Sequence, residues 1–487
     1  MALAEAPDAL DPTTAQTYVG RIVLINICQK LYDINAKTQL IPELASQMPQ
    51  ISNGGKTYTI KLRSGIKFND GTAFNAQAVK TTLERDIKDP KSSRASSLTA
   101  IQSVTVVDPT TIKLTLSKPY APLTSILAGR AGMIESPAQL KKLGDKFGTH
   151  PVCVGPFEFV SRPSSDQINI QKSPDYYAKS SVHLAKVKFE VVTQPTVRAT
   201  DLKAGSIQVV DRVQPSDVAS LKGDSSVKLD PVTTLGYQGI TINVSNSKGA
   251  SKVGTTVSTP LAQHQSLRKA FDLAINRDAL NKVVFDGQYL PGCSPISPVS
   301  PYFAHIPCPK QNISEAKKLV AASGVKTPIP ITLIVQASNA EAIKLGSVLQ
   351  NMVKPAGFAL KISPTEFTTA LSQSKAGKFD TFQVGWSGRV DPDQNIGPFW
   401  GPKSLLNYSG ANYPKLDQLI AKARTTTDKS TRKQLYGQIV KELHQKLNII
   451  YLYYPKDILG LRSNLTGVKY YADALIRLYG ASLTSGG

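Results

Sequence analysis

Residues 58–85 read YTIKLRSGIKFNDGTAFNAQAVKTTLER. The first part alternates: Tyr58, Ile60 and Leu62 fall on one face, Thr59 and Lys61 on the other. Successive strand side chains point to opposite faces, so this pattern predicts a half-buried strand. The Asn53-Gly54-Gly55 triplet just before it supplies a turn. Downstream, SVTVVDPTTIKLTL predicts two more strands, Val104–Val107 and Thr111–Leu116, joined at Asp108-Pro109-Thr110.

Helical periods appear further along. Leu267, Ala270, Phe271, Ala274 and Ile275 recur at the spacing of one helix face. Leu280, Val283 and Val284 continue after Asn276, which reads as a break and a new cap. Leu416, Leu419, Ile420 and Ala423 mark another helix. Leu435, Ile439 and Leu443 mark a further one, with Ser430 or Thr431 as its N-cap. EAIKLGSVLQNMVKPAGFALKI, from Glu341, reads as a helix, a Pro-Ala-Gly stop and a strand. The pattern is mixed α and β. The Ser, Gly and Thr-rich stretch 243–260 is where the chain is expected to cross into a second lobe.

A chain of 487 residues has room for two or three domains, and 41% hydrophobic content suffices to bury their cores. No uninterrupted apolar run approaches the roughly eighteen residues of a membrane span. The opening MALAEAPDALDPTTAQ has neither a basic n-region nor a long apolar h-region. Either the chain is cytoplasmic or its leader has been removed. The formal net charge is +22. Its lysines and arginines are scattered rather than clustered, and no nucleic-acid-binding motif accompanies them. The charge therefore reads as a solvated basic surface, with no nucleic-acid partner.

The four cysteines are Cys28, Cys153, Cys293 and Cys308, with no C-x-x-C pair. Cys293 and Cys308 bracket a proline-rich loop that a disulfide would staple, leaving Cys28 and Cys153 as the other pair. That arrangement leans toward an oxidising compartment; four buried free thiols are the alternative. The five histidines sit in no metal-binding spacing, so no metal or cofactor is expected. Nucleophile elbows, phosphate loops and dinucleotide fingerprints are missing as well. No arrangement meets the geometric demands of catalysis, so a binding protein is favoured over a secreted hydrolase.

The densest functional chemistry lies in GWSGRVDPD, residues 385–393. FDTFQVGW predicts a strand running into this turn, and ligands of α/β proteins gather at strand ends. Trp386 offers a stacking face. Arg389 offers a fork for a carboxylate or phosphate. Asp391 offers a partner for an ammonium, a hydroxyl or Arg389 itself. Asp391 and Asp393, two apart in a turn, more often cap or hold a loop than act as an acid–base pair. Trp400 lies close behind, and with Trp386 it completes an aromatic-lined cleft, although core packing would explain both rings.

Taken in order, the motifs resemble the family 5, dipeptide/oligopeptide-type, solute-binding proteins of ABC importers. ALDPTTAQT, YDINAKTQLIPELASQ and the 58–85 stretch, with its strand, FNDG turn and helix, open the series. VGPFEFV, SPDYY, TVRATDLKAGSIQVVD, LRKAFDLAINRDAL, NYSGANYPKLDQLIAKAR and IIYLYY complete it. The resemblance spans nearly the whole chain. It implies an α/β, two-lobed periplasmic-binding-protein-like fold of the large cluster C type, with an extra subdomain in lobe I. Lobe I would comprise 1–240, completed by 456–487, and lobe II 241–455. A small-molecule or peptide ligand would be enclosed between the lobes by hinge closure. The receptor would be a monomer that delivers to a membrane permease. It would be periplasmic or a cell-surface lipoprotein, as members carry export leaders and often a lipid anchor.

Position in the family pattern adds Tyr18, Arg130, Ala131 and Gly132 (with Met133), and Tyr237 (with Gln238), as cleft candidates. Dipeptide-binding members typically place an aspartate soon after the Gly-Trp pair to hold the peptide ammonium. Here that place reads Ser387-Gly388-Arg389. A cation there favours a ligand with an anionic group, whether peptide-like, an opine or a sugar phosphate; an oligosaccharide is the neutral alternative.

Overall fold

The structure is a computed structural model that describes residues 1–250, 252–402 and 404–484. The stretch that opens the sequence reading lies in an antiparallel sheet of four strands. Their order is Gln50–Ser52, Thr57–Lys61, Thr111–Leu116, Ile101–Asp108. Tyr58 and Ile60 are buried as their alternation requires. The last strand is longer than the Val104–Val107 expected, because its register shifts at both ends keep it paired. Helix Ala76–Lys88 follows, capped by the Asn75 side chain, which accepts from the Ala78 N–H. Its Val79 and Leu83 join the core beneath this sheet.

The chain divides into two units. One is Met1–Val232 together with the segment from Asp457 onward; the other is Thr233–Lys456. The first carries a second sheet of seven strands. Its order is Val227–Thr233, Lys456–Arg462, Val209–Val210, Ala2–Leu3, Lys186–Val191, Gln167–Lys172, Phe157–Ser164. Ala2–Leu3 runs parallel to both neighbours. The returning strand Lys456–Arg462 pairs antiparallel with Val209–Val210, which stitches the C-terminal segment into the first unit. Cys28, ending helix Tyr18–Ile27, is disulfide-bonded to Cys153 within this unit's core.

The second unit is built on six strands in the order Leu290–Pro291, Ile449–Tyr454, Tyr237–Ile242, Thr381–Trp386, Ile329–Gln336, Phe358–Thr365. Ile329–Gln336 and Phe358–Thr365 run parallel, joined by helix Ala340–Val353. Gln265–Leu273 and Arg277–Phe285 are separate helices, and Asn276 caps the second through the Ala279 N–H. Cys293–Cys308 closes the proline-rich loop.

Two expectations are corrected. The first crossing precedes residue 240, because Tyr237–Ile242 pairs on both edges with second-unit strands. The 243–260 stretch therefore lies inside the second unit, and the Asn243 side chain ties it to the Gly377 and Phe379 carbonyls. Helix Lys429–Lys446 is capped by Asp428, which accepts from both the N–H and the hydroxyl of Thr431. Ser430 and Thr431 sit two and three places past the capping position.

Candidate functional site

Strand Thr381–Trp386 ends with Trp386 opposite Tyr237 in the ladder. The chain turns at once, and Gly388 takes φ of +60°. A β-carbon there would lie 2.1 Å from the Leu235 carbonyl carbon, so the turn closes only with glycine. Helix Asp393–Trp400 follows, and its Asn395 organises the turn. The Asn395 Oδ1 accepts from Trp386 Nε1 at 3.2 Å and from the Arg389 N–H at 2.7 Å. Its Nδ2 donates to the Arg389 carbonyl at 2.9 Å. Asn395 is buried, so these bonds form away from competing water.

The result is a fixed cation–aromatic shelf. The Arg389 guanidinium lies 4.6 Å from the Trp386 ring centroid, and Phe399 meets Trp386 edge-on at 5.0 Å. Arg389 Nη1 donates to the Gly388 carbonyl at 2.6 Å. Both Trp386 and Arg389 are half-buried. A planar ring with a guanidinium across it presents apolar area and anion-binding donors together.

The neighbouring acids serve the scaffold. Asp391 is buried and accepts from Arg432 through both oxygens, at 2.9 Å each, and from the Tyr436 hydroxyl at 3.2 Å. Arg432 in turn lies over the Tyr302 and Tyr436 rings. Asp393 accepts from Arg424 Nε at 2.6 Å; burial raises its pKa against the pull of Arg424. The expectation that Asp391 faces a ligand is thus corrected: its oxygens hold the turn to helix Lys429–Lys446.

Trp400 and Tyr237 are corrected in the same way. Trp400 is 0% exposed, and its Nε1 donates to the Tyr451 hydroxyl at 3.1 Å. Tyr237 is buried against Phe399 and Tyr451, and its hydroxyl donates to the Asn395 carbonyl. Large rings at the foot of the shelf fill core volume rather than line a surface.

In the first unit, Arg130 is buried and donates to the Thr17 and Gln16 carbonyls, so it fixes the approach to helix Tyr18–Ile27. Ala131 belongs to the core. A β-carbon at Gly132 would lie 1.8 Å from the Leu127 carbonyl oxygen, so this glycine permits close backbone approach. These three are packing residues, which corrects their assignment as ligand contacts. Tyr18 is half-buried; its hydroxyl donates to the Ala474 carbonyl, and the Arg212 guanidinium lies 4.7 Å over its ring. Burial, then the Asp211 and Asp457 charges, push its pKa well above the usual value.

Sequence reasoning missed Asn395 and Arg212. The trace of Asn395 is an asparagine inside a helix, where its side chain normally competes with the backbone. The trace of Arg212 is a non-glycine residue at a positive φ, +53°, visible only in the structure. Among the described residues, no group of His, Cys, Asp or Glu is arranged to hold a metal, and no helix is long and apolar enough to cross a membrane.

Two α/β units, a discontinuous first unit and an extra antiparallel sheet make up a fold that solved binding proteins share. The periplasmic binding protein DppA from Helicobacter pylori, in complex with peptide STSA, matches with a TM-score of 0.88 at 22% identity, covering 99% of this chain and 97% of that one. The oligopeptide-binding protein AppA from Bacillus subtilis, in complex with a nonapeptide, matches with a TM-score of 0.88 at 21% identity, covering 99% and 98%. The family model of bacterial extracellular solute-binding proteins, family 5, middle region, matches residues 39–405. The chain belongs to this family of solute-binding proteins of ABC importers. A similar relative is the glutathione-binding protein GsiB of Escherichia coli strain K12, 27% identical over 471 residues, covering 94% of this chain and 89% of that protein.

Proposed function

We propose that the protein is the extracytoplasmic receptor of an ABC importer for a peptide or peptide-like solute carrying a carboxylate. The observation that carries this is the Arg389–Trp386 shelf, pinned by Asn395 and half open to solvent. A guanidinium held over an aromatic face binds a carboxylate in a fork and covers the adjoining apolar atoms. The relatives point to the same solute class: GsiB is a glutathione-binding protein, and the DppA and AppA structures contain peptides. In this reading Asp391 and Asn395 position the shelf and do not touch the solute. The receptor works as an exported monomer, free or lipid-anchored, and hands its cargo to a membrane permease.

Trp386 provides the test, since Trp400 is buried. Tryptophan fluorescence is titrated with glutathione and with short peptides of free and amidated C-terminus. Saturable quenching by the free acids, lost in Trp386→Phe and weakened by amidation, is expected. No response to any of these solutes, in fluorescence or calorimetry, would overturn the peptide reading.

A further inference from the structure

The first unit holds a second arrangement of charges that the shelf does not use. Strand Val209–Val210 leads into Asp211 and Arg212, and the Val213 N–H donates to the Ile458 carbonyl at 2.8 Å. Across this ladder the Arg212 and Asp457 charges act on each other. Arg212 is held in three ways. Its backbone sits at φ +53°. Its Nε donates to Asp211 Oδ2 at 3.1 Å. Its guanidinium lies 4.7 Å over the Tyr18 ring. Yet 36% of the side chain stays exposed, and its two terminal nitrogens have no hydrogen-bond partner among the described residues.

Asp457 matches it in the opposite sign. It is half-buried and accepts no hydrogen bond and no ion pair among the described residues. Burial first, opposed by Arg212 and reinforced by Asp211, moves its pKa up to about 6. Asp211 Oδ1 and the Tyr470 hydroxyl, both buried, are also without partners. Glu5 adds a further carboxylate near Arg212. A strained backbone, a cation fixed with its fork outward and an uncompensated anion next to it are costly to fold. Structural ion pairs close on each other; this pair stands open.

We propose that Arg212 and Asp457, with the Tyr18 ring as platform, form a subsite of the first unit for the zwitterionic end of an amino acid or peptide-like solute. The two terminal nitrogens of Arg212 take the α-carboxylate, and Asp457 takes the ammonium. One carboxylate alone would meet the repulsion of Asp457, Asp211 and Glu5; one amine alone would leave the arginine fork unused. The subsite rests on the reading of the protein as a solute receptor. All three of its residues lie in the first unit, and it is argued apart from the shelf.

The test is calorimetric titration of parent, Arg212→Gln and Asp457→Asn with glutathione, its α-carboxamide and its N-acetyl derivative at the γ-glutamyl head. On the parent, each modification is expected to weaken binding about tenfold, the value of one charge-assisted contact. Arg212→Gln should bind about tenfold more weakly and lose its sensitivity to the carboxamide; Asp457→Asn should lose its sensitivity to acetylation. Variants that bind glutathione as the parent does, with melting temperatures lowered, would make the pair structural and overturn the subsite. If no form of glutathione binds the parent, the peptide reading is contradicted and the subsite is read separately. Phenylglyoxal modification of Arg212, mapped by mass spectrometry, is then followed with added glycine, acetate or methylammonium. Protection by glycine alone supports the zwitterion subsite; equal protection by acetate, or none, overturns it.

Discussion

Asp391 and Arg432 meet as a buried bidentate pair, 2.9 Å on each arm, and this pair rather than any ligand accounts for Asp391, as Arg424 does for Asp393. Removing one partner of such a pair leaves an uncompensated buried charge. Asp391→Ala is therefore expected to destabilise the protein by about 3–5 kcal/mol, read as a lower urea midpoint. A loss below about 1 kcal/mol would show that the pair does not anchor the turn.

Arg389 should behave in the opposite way. It is half-buried and stacked on Trp386, so Arg389→Ala forfeits about 0.5–1 kcal/mol of stability. Its affinity for a carboxylate-bearing peptide should fall about tenfold or more, measured by calorimetry. Unchanged affinity would remove Arg389 from the binding site.

The Cys293–Cys308 disulfide closes a loop with little regular structure between Leu290–Pro291 and helix Ile313–Ala322. Replacing both cysteines by serine is expected to cost about 3 kcal/mol, the entropy of a loop of that size, measured by chemical denaturation. A loss well under about 1 kcal/mol would mean that packing alone orders the loop.

Two acids, Asp86 buried and Glu43 half-buried, set a pH dependence. Burial lifts Asp86 to about 7, against Thr13, Arg94 and Arg85. Burial, then Asp33, lifts Glu43 to about 7, against Lys30. Both values lie above the unfolded ones near 4. The folded state thus keeps protons that the unfolded state releases, and this contribution to stability is full below pH ~4 and lost as pH rises to ~7. Asp86→Asn should flatten the decline across that window, measured as urea midpoints against pH. An unchanged slope would mean that Asp86 is ionised in the folded protein.

What was legible in the chain was what repeats locally. Tyr58, Ile60 and Leu62 announce a strand because alternation needs no knowledge of the partner strand, and Asn276 announces a cap because the bond it makes is three residues away. The motif order carried the fold beyond that. The site was less legible, for physical reasons. Trp386 and Trp400 look alike in sequence, yet one ends a strand at the surface and the other is enclosed by its own helix and Tyr451. Asp391 looked available because its partner, Arg432, lies on a distant helix. Arg212 drew no notice because its meaning depends on Asp457, which only the returning strand brings beside it. The lobe crossing was misplaced because a polar, glycine-rich stretch resembles a linker whether or not side chains such as Asn243 tie it down.

The central claim is that this is a receptor for a carboxylate-bearing peptide-like solute held at the Arg389–Trp386 shelf. Native mass spectrometry of the purified protein, before and after addition of glutathione and free-acid peptides, tests it most directly. The account predicts one bound solute per chain in the parent, whether co-purified or added, and its loss in Arg389→Ala. A parent chain that retains and takes up none of them, or an Arg389→Ala chain that holds the solute as firmly, would contradict it.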